Sequence, residues 1–109
     1  MYRFDQALEQ FRQGLAVKPR DTRGLVGLGV ALSQLGRAEE AMRNFQFALE
    51  IDPEDAVAHN NLGWTLARQG RIAEAVPHFV RALALDPNYA NARTSLDEAR
   101  AILSRTSRR

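Results

Sequence analysis

Few residues in this chain could do chemistry, and their spacing argues against most of it. Gly24, Gly27 and Gly29 crowd into one short stretch, the density a phosphate-cradling loop needs. The fingerprint G-x-G-x-x-G, however, asks for a third glycine where Leu32 stands, and for a preceding strand where the pattern is helical. The glycines read instead as helix residues, Gly29 for close packing and Gly24 and Gly27 as positions of weak propensity. His59 and His78 fall on different helices, and neither has a second histidine or carboxylate at i+4 within a metal motif. His59 reads as a packed residue and His78 as a solvated one. The neighbouring carboxylates Glu39-Glu40 and Glu54-Asp55 do not face each other on a helix, so they define no acid/base pair; at turns and helix starts they complement the helix dipole. Ser33, Ser95, Ser104 and Ser107 have no base in a recognisable arrangement, and there is no cysteine. This inventory points to no enzyme, no catalytic residue, no metal and no cofactor. What remains is recognition chemistry: Trp64, the sole tryptophan, with Asn60, Asn61 and Arg68 close by in sequence.

The elements that must position these groups are written as a repeat. His59-x-x-Leu62-Gly63-x-x-Leu66, Ala75-x-x-x-Phe79, Ala82 and Pro87 return 34 residues earlier as Leu25-x-x-Leu28-Gly29-x-x-Leu32, Ala41-x-x-x-Phe45, Ala48 and Pro53. Ala7-x-x-x-Phe11 and Pro19 echo part of the frame once more. Phe4, Ala7, Leu8, Phe11 and Leu15 have the three-and-four spacing of an amphipathic helix over Arg3 to Val17. Further helices are expected from Thr22 to about Leu35, from Ala38 to Ile51, and from Ala90 to Ser104 with Ala92, Leu96, Ala99 and Leu103 inward. Proline ends helices, so Pro19, Pro53 and Pro87 mark three equivalent junctions, while Pro77 falls inside a helix and deletes one of its amides. Gly29 with Ala41 and Ala48, and Gly63 with Ala75 and Ala82, are expected to let paired helix backbones approach closely, with Phe45 and Phe79 filling the space beside them.

A period of 34 with this spacing resembles the tetratricopeptide repeat, a helix–turn–helix unit that stacks into a solenoid. The resemblance implies an all-α fold, a right-handed α-solenoid of about six helices in a single domain over residues 1–109. Residues 1–21 would be the second helix of a truncated repeat, 22–55 and 56–89 full repeats, 90–104 a capping helix and 105–109 a basic tail. Asp97 stands where glycine stood twice, which suits a polar cap, and His59 stands where the family has a large aromatic. The chain begins in the middle of a repeat; the favoured explanation is a piece of a longer protein, and the rival is a partner covering the bare face.

In this family the first helices of successive repeats line a concave groove that binds ligands. By register the peptide-binding positions are Arg23, Val26, Val30 and Gln34 in one repeat, with Gly27 between them. In the next they are Val57, Asn60, Asn61, Trp64 and Arg68, and on the last helix Asn91, Thr94, Ser95 and Glu98. Independently, Val57, Asn60, Trp64 and Arg68 share one helical face away from Leu62 and Leu66. Relatives that grip an acidic chaperone tail need a lysine and an asparagine, then an asparagine, then a lysine and an arginine. Val26 and Val30, Asn61, and Asn91 and Ser95 stand there, so only Asn61 matches.

Charge and hydropathy exclude other partners. The net charge is +2, much of the excess sits in Arg105, Arg108 and Arg109, and no basic stripe with interleaved aromatics runs along the body, so no nucleic acid is expected. No apolar run could span a membrane and the start lacks a signal peptide, which makes the cytoplasm the default location. The expected function is a non-enzymatic scaffold holding a short peptide or helix of another protein, one with an apolar anchor and an acidic group. Two alternatives stay open: self-association through Phe4, Ala7 and Phe11 on the first helix, and a substrate-presenting segment of a larger enzyme.

Overall fold

The computed structural model describes residues 3–106. Among them lie six α-helices and no strand: α1 (Phe4–Val17), α2 (Thr22–Gln34), α3 (Ala38–Ile51), α4 (Ala56–Arg68), α5 (Ile72–Leu85) and α6 (Ala90–Thr106). The chain divides into two compact units, one up to Pro53 and one from Glu54 onward.

In the first unit α2 packs against both α1 and α3. Asp21 caps α2, its carboxylate accepting the Arg23 backbone N–H at 3.2 Å. The helix stops at Gly36, whose φ of +80° reverses the chain without the steric cost a Cβ would carry. Two reaching-back bonds close this end, Gly36 N–H to the Ser33 carbonyl at 3.1 Å and Arg37 N–H to the Leu32 carbonyl at 2.9 Å. Beyond the turn, the Arg37 guanidinium grips Glu40 with two bonds of 2.9 Å. The core is Leu8, Leu25, Val26, Leu28, Ala31, Leu32, Ala41, Met42, Phe45 and Ala48. Phe45 is fully buried, and its ring lies where a Cβ on Gly29 would come within 2.5 Å of it. Gly29 therefore makes room for an aromatic ring rather than for a backbone.

Gly27 and Gly24 are also packing residues, which corrects their reading as merely weak helix positions. A Cβ on Gly27 would meet the Phe11 ring at 2.4 Å, and one on Gly24 would meet Leu15 at 3.0 Å. Gly24 and Gly27 are thus the sockets into which α1 plugs.

The second unit repeats the hairpin and adds a helix. Asp55 caps α4 by accepting the Ala58 N–H at 3.1 Å, and Gly70, with φ +79°, ends it. Arg71 N–H bonds the Leu66 carbonyl at 3.0 Å, and its side chain holds Glu74 at 3.0 and 2.8 Å. Phe79 sits against Gly63, where a Cβ would approach its ring to 2.8 Å. Burying such a ring contributes on the order of 1.5–3 kcal/mol. Pro77 is tolerated inside α5 because both it and Ala73, whose carbonyl it leaves without an intrahelical donor, face solvent. α5 packs against α4 and α6, and α4 also touches α6, which buries Ala92, Leu96 and Ala99.

The end expected at Ser104 falls two residues short. Thr106 stays helical, its hydroxyl donating to the Ile102 and Leu103 carbonyls, and Arg105 occupies the last turn where a cation suits the dipole. Of the expected basic tail, residues 107–109 lie outside the described residues.

Candidate functional site

Leu62, Leu66 and Ala58 turn one side of α4 inward, which leaves Trp64 and Arg68, one turn apart, together on another side. Trp64 is half-buried, and the Arg68 guanidinium carbon lies 4.6 Å from its ring centroid. At that distance the cation is drawn to the ring face, an attraction of about 0.5–1 kcal/mol where solvent reaches it. Arg68 also sits in the last turn of α4, a second reason for it to hold that position.

Beside the pair is a cleft of about 200 Å³. Trp64, Ala67 and Arg68 of α4, Ile72 and Phe79 of α5, and Ser95, Glu98, Ala99 and Ile102 of α6 line it. Its floor is apolar, while Arg68 and Glu98 place one charge of each sign at its edge. Ile72, Ala99 and Ile102 are absent from the expected ligand positions because that register followed the groove face of α2, α4 and α6, on which none of them lies. The available signal was that each lies on the inward stripe of its own helix.

Other expected ligand positions are distributed unevenly. Val57 is exposed, and Asn61 is half-buried with its amide donating to the Val57 carbonyl at 3.0 Å. Asn60 is a correction: only 8% exposed, it donates to the Tyr89 hydroxyl at 3.3 Å, and its own Oδ1 is buried without a partner. A side chain so enclosed does not reach a peptide backbone. Burial raises the Tyr89 pKa above its usual value against the effect of the Asn60 bond, and the nearby Asp55 and Asp86 carboxylates push the same way as burial. In the first unit Arg23 and Gln34 are exposed and Val30 is half-buried. Val26 is a second correction, because it belongs to the core. On α1, Phe4, Ala7 and Phe11 are half-buried, and Phe11 is committed in part to Gly27.

The sequence puts His59 and His78 on different helices, one as a packed residue and one as a solvated one, yet the hairpin brings them together. His59 Nδ1 and His78 Nδ1 are 3.3 Å apart, and both rings are half-buried. Burial lowers the His78 pKa below its ordinary value, and the neighbouring His59 adds to the effect. The signal was present in the repeat register: His59 holds a packing position, and His78 immediately precedes Phe79, which packs on the same helix pair. At the hairpin turns the Arg37 and Arg71 guanidiniums, by hydrogen bonding, lower the pKa values of Glu40 and Glu74. Among the described residues no three His, Cys, Asp or Glu side chains gather as a metal cluster, and no helix is long and apolar enough to cross a membrane.

A search among curated proteins found no sequence match. Many solved structures share the fold, among them the following three. The tetratricopeptide domain of Sgt2 from Aspergillus fumigatus superposes with a TM-score of 0.92 at 18% identity, over 97% of this chain and 72% of that one. The first such domain of Spaghetti (RPAP3), bound to the HSP90 peptide SRMEEVD, gives 0.88 at 20% identity, over 93% and 80%. A K341M mutant of the O-GlcNAc transferase of Thermobaculum terrenum gives 0.81 at 27% identity, over 84% of this chain but 18% of that one. The family model for the tetratricopeptide repeat matches residues 20–88, which span both hairpins with their glycine sockets and phenylalanine plugs. By that match over more than half its length, the chain belongs to the tetratricopeptide repeat family.

Proposed function

We propose that the chain is a non-catalytic protein-interaction module whose second unit anchors a segment of a partner protein by seating one apolar side chain in the cleft beside Trp64. The observation that carries this reading is the cleft itself, apolar at its floor, edged by Arg68 and Glu98, and about 200 Å³ in volume. Small-molecule sites occupy roughly 300–1,000 Å³, so this one has the size of a side chain rather than of a cofactor. Half-buried tryptophans beside such hollows serve as interface anchors, because a large rigid ring is desolvated at little entropic cost. Arg68 offers a partner carboxylate a charged donor next to the anchor, which favours a segment that pairs an apolar residue with an acidic one.

The peptide-bound relative supports the interaction class but not its ligand. Its acidic HSP90 peptide belongs to that protein. Of the positions expected to carry a clamp for such a tail only Asn61 matches; the others hold Val26, Val30, Asn91 and Ser95, and Val26 is buried.

The test is selection of a random peptide library on the wild type and on Trp64→Ala, with circular dichroism confirming that both are folded. Wild type should enrich sequences joining an apolar to an acidic residue, and Trp64→Ala should lose about 2 kcal/mol or more, roughly a 30-fold weaker Kd. Equal enrichment by both proteins, or none by either, rejects the cleft as the anchor.

A second reading rests on the likeness to the transferase, of which the matching segment is a small part. Under it this module presents substrates to a catalytic domain elsewhere. Self-association through Phe4, Ala7 and the uncommitted part of Phe11 would instead appear as a mass that rises with concentration and falls on Phe4→Glu.

A further inference from the structure

The two histidines of the second unit form an arrangement for which the interaction function has no use. His59 is on α4 and His78 on α5, 19 residues apart, and their Nδ1 atoms are separated by 3.3 Å. The ring centroids are 5.5 Å apart and the planes are inclined by only 29°. Because the centroids are much farther apart than the nitrogens, the rings meet edge to edge with the two Nδ1 atoms leading. Two in-plane imidazole nitrogens aimed at one another at this distance share a proton, and the same two lone pairs are the donors a cation off the line between them would take.

We propose that His59 and His78 form a two-histidine site for an exchangeable late first-row transition-metal cation, held by both Nδ1 atoms and clamping α4 to α5. Zinc bound by histidine has metal–nitrogen distances of about 2.0–2.1 Å, so two such ligands on a tetrahedral ion stand about 3.3–3.4 Å apart. The observed separation is already that of the edge of the tetrahedron. A small rotation of both rings, from pointing at each other to pointing at a common centre, completes the geometry.

Imidazole selects the cation. Nitrogen donors of this kind favour zinc, copper and nickel, while magnesium and calcium require oxygen donors. Since no third His, Cys, Asp or Glu joins the pair among the described residues, water or an added ligand fills the other positions. Such a site is open, and its cation exchanges. Binding joins two helices of one hairpin, so it stabilises the folded state by mass action. A search along the sequence passes over the pair, because metal motifs on a single helix place histidines at i and i+4.

The test uses the untagged full chain, stripped of metal by chelator and titrated with zinc chloride or nickel chloride by calorimetry, with thermal unfolding in parallel. The expected result is one equivalent bound, a Tm that rises with metal concentration, and a loss of affinity of about tenfold or more in both His59→Gln and His78→Gln. Undiminished binding in the double variant would place the metal elsewhere and overturn the site, as would the absence of binding by wild type. Should either variant fail to fold, nuclear magnetic resonance of the wild type decides. Zinc must shift the ring resonances of both histidines together, and a shift of one or neither overturns the proposal.

Discussion

The hairpins α2–α3 and α4–α5 are two copies of one design offset by 34 residues, alike at the contact that closes each hairpin and different at many positions around it. Gly29 and Gly63, Ala41 and Ala75, Phe45 and Phe79, and Ala48 and Ala82 are the same in both, and each phenylalanine plugs into its glycine. Asp21 and Asp55 cap equivalent helices, Gly36 and Gly70 take equivalent left-handed turns, and Arg37–Glu40 and Arg71–Glu74 repeat the same bidentate pair. Among the positions that diverge, three bear on function. Val30 becomes Trp64, the buried Leu25 becomes His59, and Asn44, whose amide is bonded to the Glu40 carbonyl, becomes His78. The frame that makes the hairpin is thus separable from the residues that give one copy an anchor and a histidine pair. A duplicated scaffold can vary these because they lie beside the plug-and-socket contact rather than in it.

The equivalence is tested most severely at the plugs. Phe45→Ala and Phe79→Ala should each cost about 3–5 kcal/mol in denaturant unfolding, because both rings are almost wholly buried and each leaves a cavity. A large difference between the two would mean that the copies are not energetically equivalent.

The next effect separates them. Gly27→Val should cost about 1–3 kcal/mol by driving a side chain into the Phe11 ring, and adding Phe11→Ala should recover part of it. At the matching place in the other copy stands Asn61, which already carries a side chain, so Asn61→Val lacks that clash. Equal losses at the two positions would show that α1 does not depend on its socket.

Acid should then distinguish the histidine-bearing hairpin. Folding lowers the His78 pKa below its ordinary 6.5, so the unfolded chain binds that proton more readily than the folded one. The stability tied to this group is fully present above pH about 6.5 and is lost as the pH falls through the lower folded value. In chelator-treated buffer, His78→Asn should flatten that part of the stability profile, whereas Asn44→Ala should leave its slope unchanged. An unaltered slope in His78→Asn would remove the histidine pair as the source.

The smallest effect is expected at the hairpin turns. Arg37→Gln and Arg71→Gln remove solvent-exposed pairs with closely matching geometry, so both should lower Tm slightly, to a similar degree, and less at high salt. Unequal shifts would mark a turn that depends more on its ion pair.

Most of the helices and the phenylalanine plugs were legible in the residues alone. Periodicity, proline and glycine are local signals, and the 34-residue repeat writes each of them twice. Trp64 was legible too, as a large ring outside the packing frame. Four things were not. The α4 register placed Asn60 beside Trp64, but Tyr89, 29 residues away, encloses it. Gly27 looked like a weak helix residue until α1 laid Phe11 across it. The cleft and the histidine pair each draw their atoms from separate helices, and a spacing along the chain says nothing of which side chains a hairpin brings within bonding distance. The sequence by itself determined which segments are helices and which face of each is apolar, because those follow from propensity and a period of 3.6. Tertiary structure alone decided which polar groups are spent inside and which remain at a surface, because burial and partnership depend on what the neighbouring helix places opposite them.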